Sequence, residues 1–139
     1  MSSFSTEPLN HWIVGSAFGR NDDQTARFLA EGIWEIVKPS DAEQALVKAM
    51  QPGDLIAIKS TFVQKHDLPF DVHGQSVSVM RIKARGTIIQ NAGNGERVDV
   101  EWDTGYEGAD WYFYTYRSTI WQLPMADEEA QRLTSFIFA

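Results

Sequence analysis

Ser76-Val-Ser-Val-Met-Arg-Ile-Lys-Ala-Arg-Gly-Thr-Ile-Ile-Gln90 decides the fold, because apolar and polar side chains alternate through it with the period of a strand. At 15 residues it outruns an ordinary strand, so it reads as one bent strand or two, with Gly86 as the bend or bulge. Met80, Ile82 and Ala84 alternate with Arg81, Lys83 and Arg85, which predicts three positive charges on one face. Asn91-Ala-Gly-Asn-Gly95 is a turn, and Arg97–Asp103 pairs back as a hairpin. Its Val98, Val100 and Trp102 face the core, and Asp99, Glu101 and Asp103 face solvent.

Downstream lies Trp111-Tyr-Phe-Tyr-Thr-Tyr-Arg-Ser-Thr-Ile-Trp121, with six aromatic rings in eleven residues. Strand alternation sends Trp111, Phe113 and Thr115 one way and Tyr112, Tyr114 and Tyr116 the other. Such a tyrosine row either closes a barrel or lines a pocket for something flat, such as a nucleobase. Met125–Ala139 has acids at its start and Leu133, Phe136 and Ile137 at helical spacing, and is expected to be a C-terminal helix.

Upstream, His11–Gly15 is a short strand and Ser16–Arg20 a loop. A first helix is expected over Asp22–Glu31, capped by Asn21 with Gln24 reaching back and left through Gly32. A second follows Ser40, with Ser40 and Glu43 at capping-box spacing, and ends at Pro52-Gly53. Asp54–Phe62 is a strand buried at its start, and residues 63–75 form a long loop of the kind that often carries function. The strands crowd the second half and the longer helices the first. The class is therefore α+β, a strongly bent, barrel-like, mostly antiparallel sheet with two or three flanking helices.

The chain has 139 residues and is expected to be one domain, residues 1–10 forming a flexible N-terminus. It has no cysteine, no signal-peptide pattern and no apolar run long enough to span a bilayer, from which a cytoplasmic protein without membrane contact is expected. Its net charge of -7 argues against nucleic-acid binding by broad phosphate neutralisation, so any such binding must be local and shape-driven.

Catalytic patterns are weak. The acidic row Asp99, Glu101, Asp103 is what a solvated strand face produces in any case. His11, His66 and His73 lack zinc-ligand spacing. Asp54 and Lys59 faintly resemble a nuclease pair, but Ala57 stands where the second acid would be. Gly15-Ser-Ala-Phe-Gly19 is neither a nucleophile elbow nor a phosphate loop. No metal, cofactor or catalytic residue is expected. A set suited to binding remains: Trp12 and Ser16 near the end of the first strand, Trp34 between the helices, Lys59 and Ser60 at a strand end, and the row containing Tyr112 and Tyr114. Trp12, Trp102 and Trp121 read as core rings, whereas Trp34, beside Gly32 and outside a clear helix, sits where a ring can cap a cavity.

The order strand, helix, Ile33-Trp34, helix, Gln51-Pro-Gly-Asp-Leu-Ile-Ala-Ile-Lys59, then Met80-Arg-Ile-Lys-Ala-Arg-Gly-Thr-Ile88 resembles the EVE branch of the PUA-like superfamily. Gly32-Ile-Trp34, Lys65-His-x-Leu-Pro-Phe70, Val77-Ser-Val-Met80 and the aromatic run are similar to the N-terminal domain of McrB-like restriction proteins, AAA+ NTPases that recognise modified DNA. The resemblance covers about residues 11–138. It implies a PUA-like pseudo-barrel whose cavity takes a modified base, methylated cytosine or adenine, flipped from double-stranded DNA, with RNA left open. The pocket would comprise Trp34, Trp12, Ser16, Lys59, Ser60, Tyr112 and Tyr114. Arg81, Lys83, Arg85 and Lys65 would contact the nucleic-acid backbone. Trp34 matches the EVE-type tryptophan, and the aromatic run becomes the barrel-closing strand. Glu35-Ile-Val-Lys-Pro39 departs from the Asp-Gly-Val-Arg-Asn common in EVE domains, so that segment's ligand contacts do not carry over. The resemblance further implies that this is an excised, non-enzymatic reader serving an AAA+ NTPase and nuclease subunits. A protein-interaction or assembly module without base preference, docking through its acidic surface and Phe136 and Phe138, is the alternative.

Overall fold

The computed structural model describes residues 9–19 and 21–138, so the expected flexible N-terminus lies almost wholly outside the described residues. In chain order the elements are β1 (His11–Gly15), β2 (Ala17–Phe18), β3 (Asp22–Asp23), α1 (Thr25–Glu31), β4 (Ile33–Glu35), α2 (Asp41–Ala49), β5 (Leu55–Gln64), β6 (Val77–Gln90), β7 (Arg97–Trp102), β8 (Ala109–Tyr112), β9 (Ile120–Gln122) and α3 (Glu128–Phe138). Seven strands form a curled mixed sheet in the order β4-β7-β6-β5-β1-β9, with β8 also paired to β6. β1 and β5 run parallel; the other pairings are antiparallel. The architecture is α+β, a half-barrel with three helices among the described residues. None of those helices is long and apolar enough to cross a membrane.

β6 is one unbroken strand of 14 residues. Its irregularities are not at Gly86. Against β5, Ile58 pairs with Ala84 and Lys59 with Ile82, leaving Lys83 as an extra residue. Against β7, Ile88 pairs with Val100 and Gln90 with Asp99, leaving Ile89 over. Gly86 serves a different need, because a Cβ there would lie 2.5 Å from the Glu101 carbonyl oxygen where β7 presses close.

The bulge at Lys83 also redistributes the apolar row. One core cluster contains Trp12, Phe28, Trp34, Val47, Ile58 and Ala84, the other Ala57, Met80, Ile82, Trp121, Leu133 and Ile137. The first lies under α1 and α2, and the second lies under α3. An extra residue reverses which side of a strand each later side chain takes. Ala84 therefore joins the first core while Ile82 and Met80, of the same parity, join the second.

This corrects the expected cationic face. Cross-strand partners share a side, and Arg85 pairs with Ala57 while Arg81 pairs with Ser60, so the bulge sets the two guanidiniums on opposite faces. The three cations are also engaged: Arg81 with Asp110 at 2.8 Å, Lys83 with Asp23 at 3.0 Å and Arg85 with Asp103 at 2.8 Å.

α2 forms as expected, with Ser40 accepting from Glu43 N at 3.1 Å and the Glu43 carboxylate accepting from Ser40 N at 2.9 Å. α1 does not. It starts at Thr25, since Asp22 and Asp23 pair with Phe18 and Ala17. Gln24 makes no side-chain cap bond, while Asp23 Oδ1 accepts from Thr25 N at 3.0 Å. Gly32 ends the helix at φ +69° as expected.

The aromatic run is not one strand. β8 stops at Tyr112, Phe113 turns the chain at φ +75°, and a loop leads to β9. The tyrosine row is thereby scattered: Tyr112 meets Phe70 edge-on at 5.2 Å, whereas Tyr114 and Tyr116 pack on Trp121.

Candidate functional site

β1 ends at Gly15, whose amide donates to the Thr119 carbonyl at 2.7 Å and whose carbonyl accepts from Trp34 Nε1 at 2.8 Å. These bonds tie three distant segments together at the end of β1. Two adjoining cavities of about 280 and 320 Å³ open there, with Gly15, Ser16, Ala17 and Thr119 common to both walls, and form the two lobes of the candidate groove.

The smaller lobe is polar. It is lined by Lys59, Lys83 and Arg117 and by the hydroxyls of Ser16, Ser60, Thr61, Ser118 and Thr119. Lys59 is only 4 % exposed. Its ammonium donates to the Tyr116 carbonyl oxygen and lies 5.8 Å from the centre of the Tyr116 ring. Burial pulls its pKa down to about 8. Neither Lys59 nor Arg117 has an ion-pair partner among the described residues.

A network beneath this lobe holds its wall. Lys83 Nζ donates to Ser16 Oγ at 3.1 Å and to Asp23 Oδ2 at 3.0 Å. Asp23 Oδ1 accepts from Ser16 Oγ at 2.8 Å and from Thr25 Oγ1 at 2.6 Å. Partial burial opposes ionisation of Asp23, but the bonds from Thr25, Lys83 and Ser16 outweigh it and hold the carboxyl well below the usual range. An ammonium bonded to both Ser16 and Asp23 orders the lobe rather than accepting a proton from Ser16. The lobe is suited to an anion with several oxygen acceptors.

The larger lobe is lined by Phe18, Ile36 and Val37 together with the acidic Glu35 and Glu43. Phe18 packs edge-on against Phe28 at 6.0 Å, with the Arg27 guanidinium 5.8 Å from its ring centre. Burial works against the Glu35 charge, but bonds from Arg27 at 2.6 Å and Arg97 at 2.9 Å keep its pKa low. This lobe has the size and lining for a flat ring with polar edges.

The chain matches no protein-family model and no curated protein sequence.

Of the expected pocket residues, Ser16, Lys59 and Ser60 meet in the polar lobe, joined by Lys83 from the expected backbone set. Trp34 and Trp12 do not line the groove. Trp34 belongs to edge strand β4 opposite Val98, and its ring is wholly buried in the first core. That overturns its reading as a ring capping a cavity, because pairing with β7 draws it inward. Trp12 is likewise buried, donating from Nε1 to Asp54 Oδ2 at 3.0 Å. Tyr112 and Tyr114 belong to the β8 end and the second core. Lys65 is exposed in the β5–β6 loop. The acidic row forms no metal cluster among the described residues.

Sequence reasoning missed Phe18 and Thr119 as groove lining, and Asp23 and Thr25 as the network beneath it. Asp23 and Thr25 carried a signal, since an aspartate two residues before a threonine favours a side-chain turn that competes with a helix start.

Proposed function

We propose that the chain is a PUA-like, EVE-type reader that takes a modified nucleotide extruded from double-stranded DNA. The base enters the apolar lobe and the adjoining phosphate rests on the polar one. One observation carries this reading: two cavities adjoin, sharing Gly15–Ala17 and Thr119 in their walls, so a base and its phosphate have neighbouring places. The place also suits the resemblance, which implies a cavity between the first strand, the inter-helix segment and the barrel. Trp34 contributes from behind, holding the Gly15 carbonyl rather than meeting the base.

Extruding a nucleotide costs a few kcal/mol. Stacking on an aromatic ring returns about 1–3 kcal/mol, and each hydrogen bond to a charged group about 1.5–3 kcal/mol. Two or three such contacts suffice, which reconciles the reading with an acidic protein. A methyl group against Ile36 and Val37 adds about 0.8 kcal/mol, roughly a fourfold preference. By the same resemblance, an NTPase motor and nuclease subunits would act on DNA so selected.

The test is fluorescence anisotropy with matched duplexes carrying methylated or unmodified cytosine or adenine. Wild type should prefer one methylated duplex about fourfold or more. Ala17→Trp, at an exposed position shared by both lobes, should abolish that binding without a loss of melting temperature. Equal affinities for all duplexes, unchanged by Ala17→Trp, would sink the assignment. Phe136, 41 % exposed on α3 and 4.9 Å from the Trp111 ring, favours the second reading, a protein-docking module, which predicts that equality.

A further inference from the structure

Phe113 is 65 % exposed, more than any other large apolar side chain among the described residues. It is also held where a bulky residue is strained. Its φ is +75°, and Tyr114 N donates to the Tyr112 carbonyl at 3.0 Å, the uncommon γ-turn with a positive central φ. Such a conformation persists only where the surroundings impose it. Here Phe113 N donates to the Ser78 carbonyl at 3.0 Å and Thr115 N to the Phe113 carbonyl at 3.0 Å. Phe70 braces the ring at 5.5 Å.

The turn is joined to the groove by two stretches of chain. The loop that opens on Phe113 ends in Arg117, Ser118 and Thr119, which line the polar lobe. Thr61 of β5 lines it too, and Val63, 59 % exposed and two residues (about 7 Å) further along the strand, pairs with the Ser78 that holds Phe113. Arg117, four residues along that loop, and Lys59, bonded to the Tyr116 carbonyl, make the loop's far end cationic on a chain of net charge -7. A polyanion with apolar flat faces fits that combination better than an apolar protein surface does.

We propose that Phe113 is a wedge that enters the base stack beside the extruded nucleotide, with Phe70 as its backing. The proposal rests on the reader assignment above. An inserted apolar side chain holds open a step that would otherwise close on the vacated place, so the wedge acts on duplex and not on a nucleotide already free.

The experiment compares wild type, Phe113→Gly and Ala17→Trp against the preferred methylated duplex and against the same modified nucleotide in a short single strand. A 2-aminopurine beside the modified base reports unstacking. Glycine adopts positive φ freely, so Phe113→Gly keeps the turn, and its melting temperature should equal or exceed wild type. It should bind the duplex at least tenfold more weakly and lose the 2-aminopurine rise, while single-strand affinity stays within twofold. Ala17→Trp should lose both substrates. Duplex binding by Phe113→Gly within twofold of wild type, with the fluorescence rise intact, overturns the wedge while Ala17→Trp still supports the groove. Conversion of a wild-type dimer to monomer by Phe113→Gly in light scattering also overturns it, assigning the patch to a second copy. Loss of methyl preference in wild type itself removes both proposals.

Discussion

Lys59 carries a buried ammonium whose described partners, the Tyr116 carbonyl and ring, bear no opposing charge. Replacing it by methionine, of similar length and without a charge, turns that arrangement into a measurable pH dependence. The folded-state pKa is depressed from 10.5 to about 8. Below pH 8 both folded and unfolded chains hold the proton, and the full penalty applies. Between pH 8 and 10.5 the folded chain has released a proton that the unfolded chain still binds, so stability rises with pH across that window. At 1.36 kcal/mol per pKa unit the penalty is about 3 kcal/mol at pH 7 and about 1 kcal/mol at pH 10.

Lys59→Met removes this term and also the charged-donor bond to the Tyr116 carbonyl, a loss of about 2 kcal/mol. The variant should therefore exceed wild type by about 1 kcal/mol at pH 7 and fall about 1 kcal/mol below it at pH 10. Urea unfolding followed by tryptophan fluorescence at pH 7, 8, 9 and 10, at constant ionic strength, measures the difference. Other titrating groups cancel in it. A difference constant within about 0.5 kcal/mol over that range would refute the buried, uncompensated charge. The reader assignment adds that this more stable variant binds DNA worse, the trade expected where a site retains an unfavourable group.

Arg117→Gln tests the polar lobe's second cation without an ion-pair partner among the described residues, and should reduce the slope of log affinity against log salt by about 0.9 if it contacts one phosphate. An unchanged slope would remove Arg117 from the backbone contacts. Gly86→Ala tests the close approach of β7: with Glu101 O at 2.5 Å and Trp102 Cα at 3.0 Å from the added Cβ, neighbouring backbone must move. A loss of about 3 kcal/mol, or over 10 °C in melting temperature, is expected; a shift under 2 °C would show that β6 and β7 separate cheaply.

The legible parts of the sequence were those whose cause is local. Ser40 and Glu43 cap α2 through bonds that span three residues, and Val98, Val100 and Trp102 face inward because β7 alternates without interruption. The misread parts have distant causes. Trp34 is drawn into the core by pairing with a strand 64 residues further along (Trp34 with Val98). Asp23 leaves α1 because Ser16 and Lys83 compete for its carboxylate. Phe113 holds a positive φ because Ser78 and Phe70 fix the turn from outside it. Ser16, Lys59 and Ser60 were recoverable as groove residues since all three lie at or just past the polar ends of apolar strand runs. The aromatic partners were not, as ring burial depends on which strand crosses above.

The bulge at Lys83 joins these two levels. Without it, the even-numbered apolar row of β6 would face a single core, and Met80 and Ile82 would have no place beneath α3. With it, the row serves both cores. The same extra residue is released from the β5 ladder, and its side chain reaches Ser16 and Asp23 at the end of β1. A residue in regular register there would share a side with its cross-strand partner and follow the alternation of Ile82 and Ala84. The irregularity that lets one strand cover two cores therefore also delivers a cation to the wall of the groove, so folding and site geometry depend on one feature of the ladder.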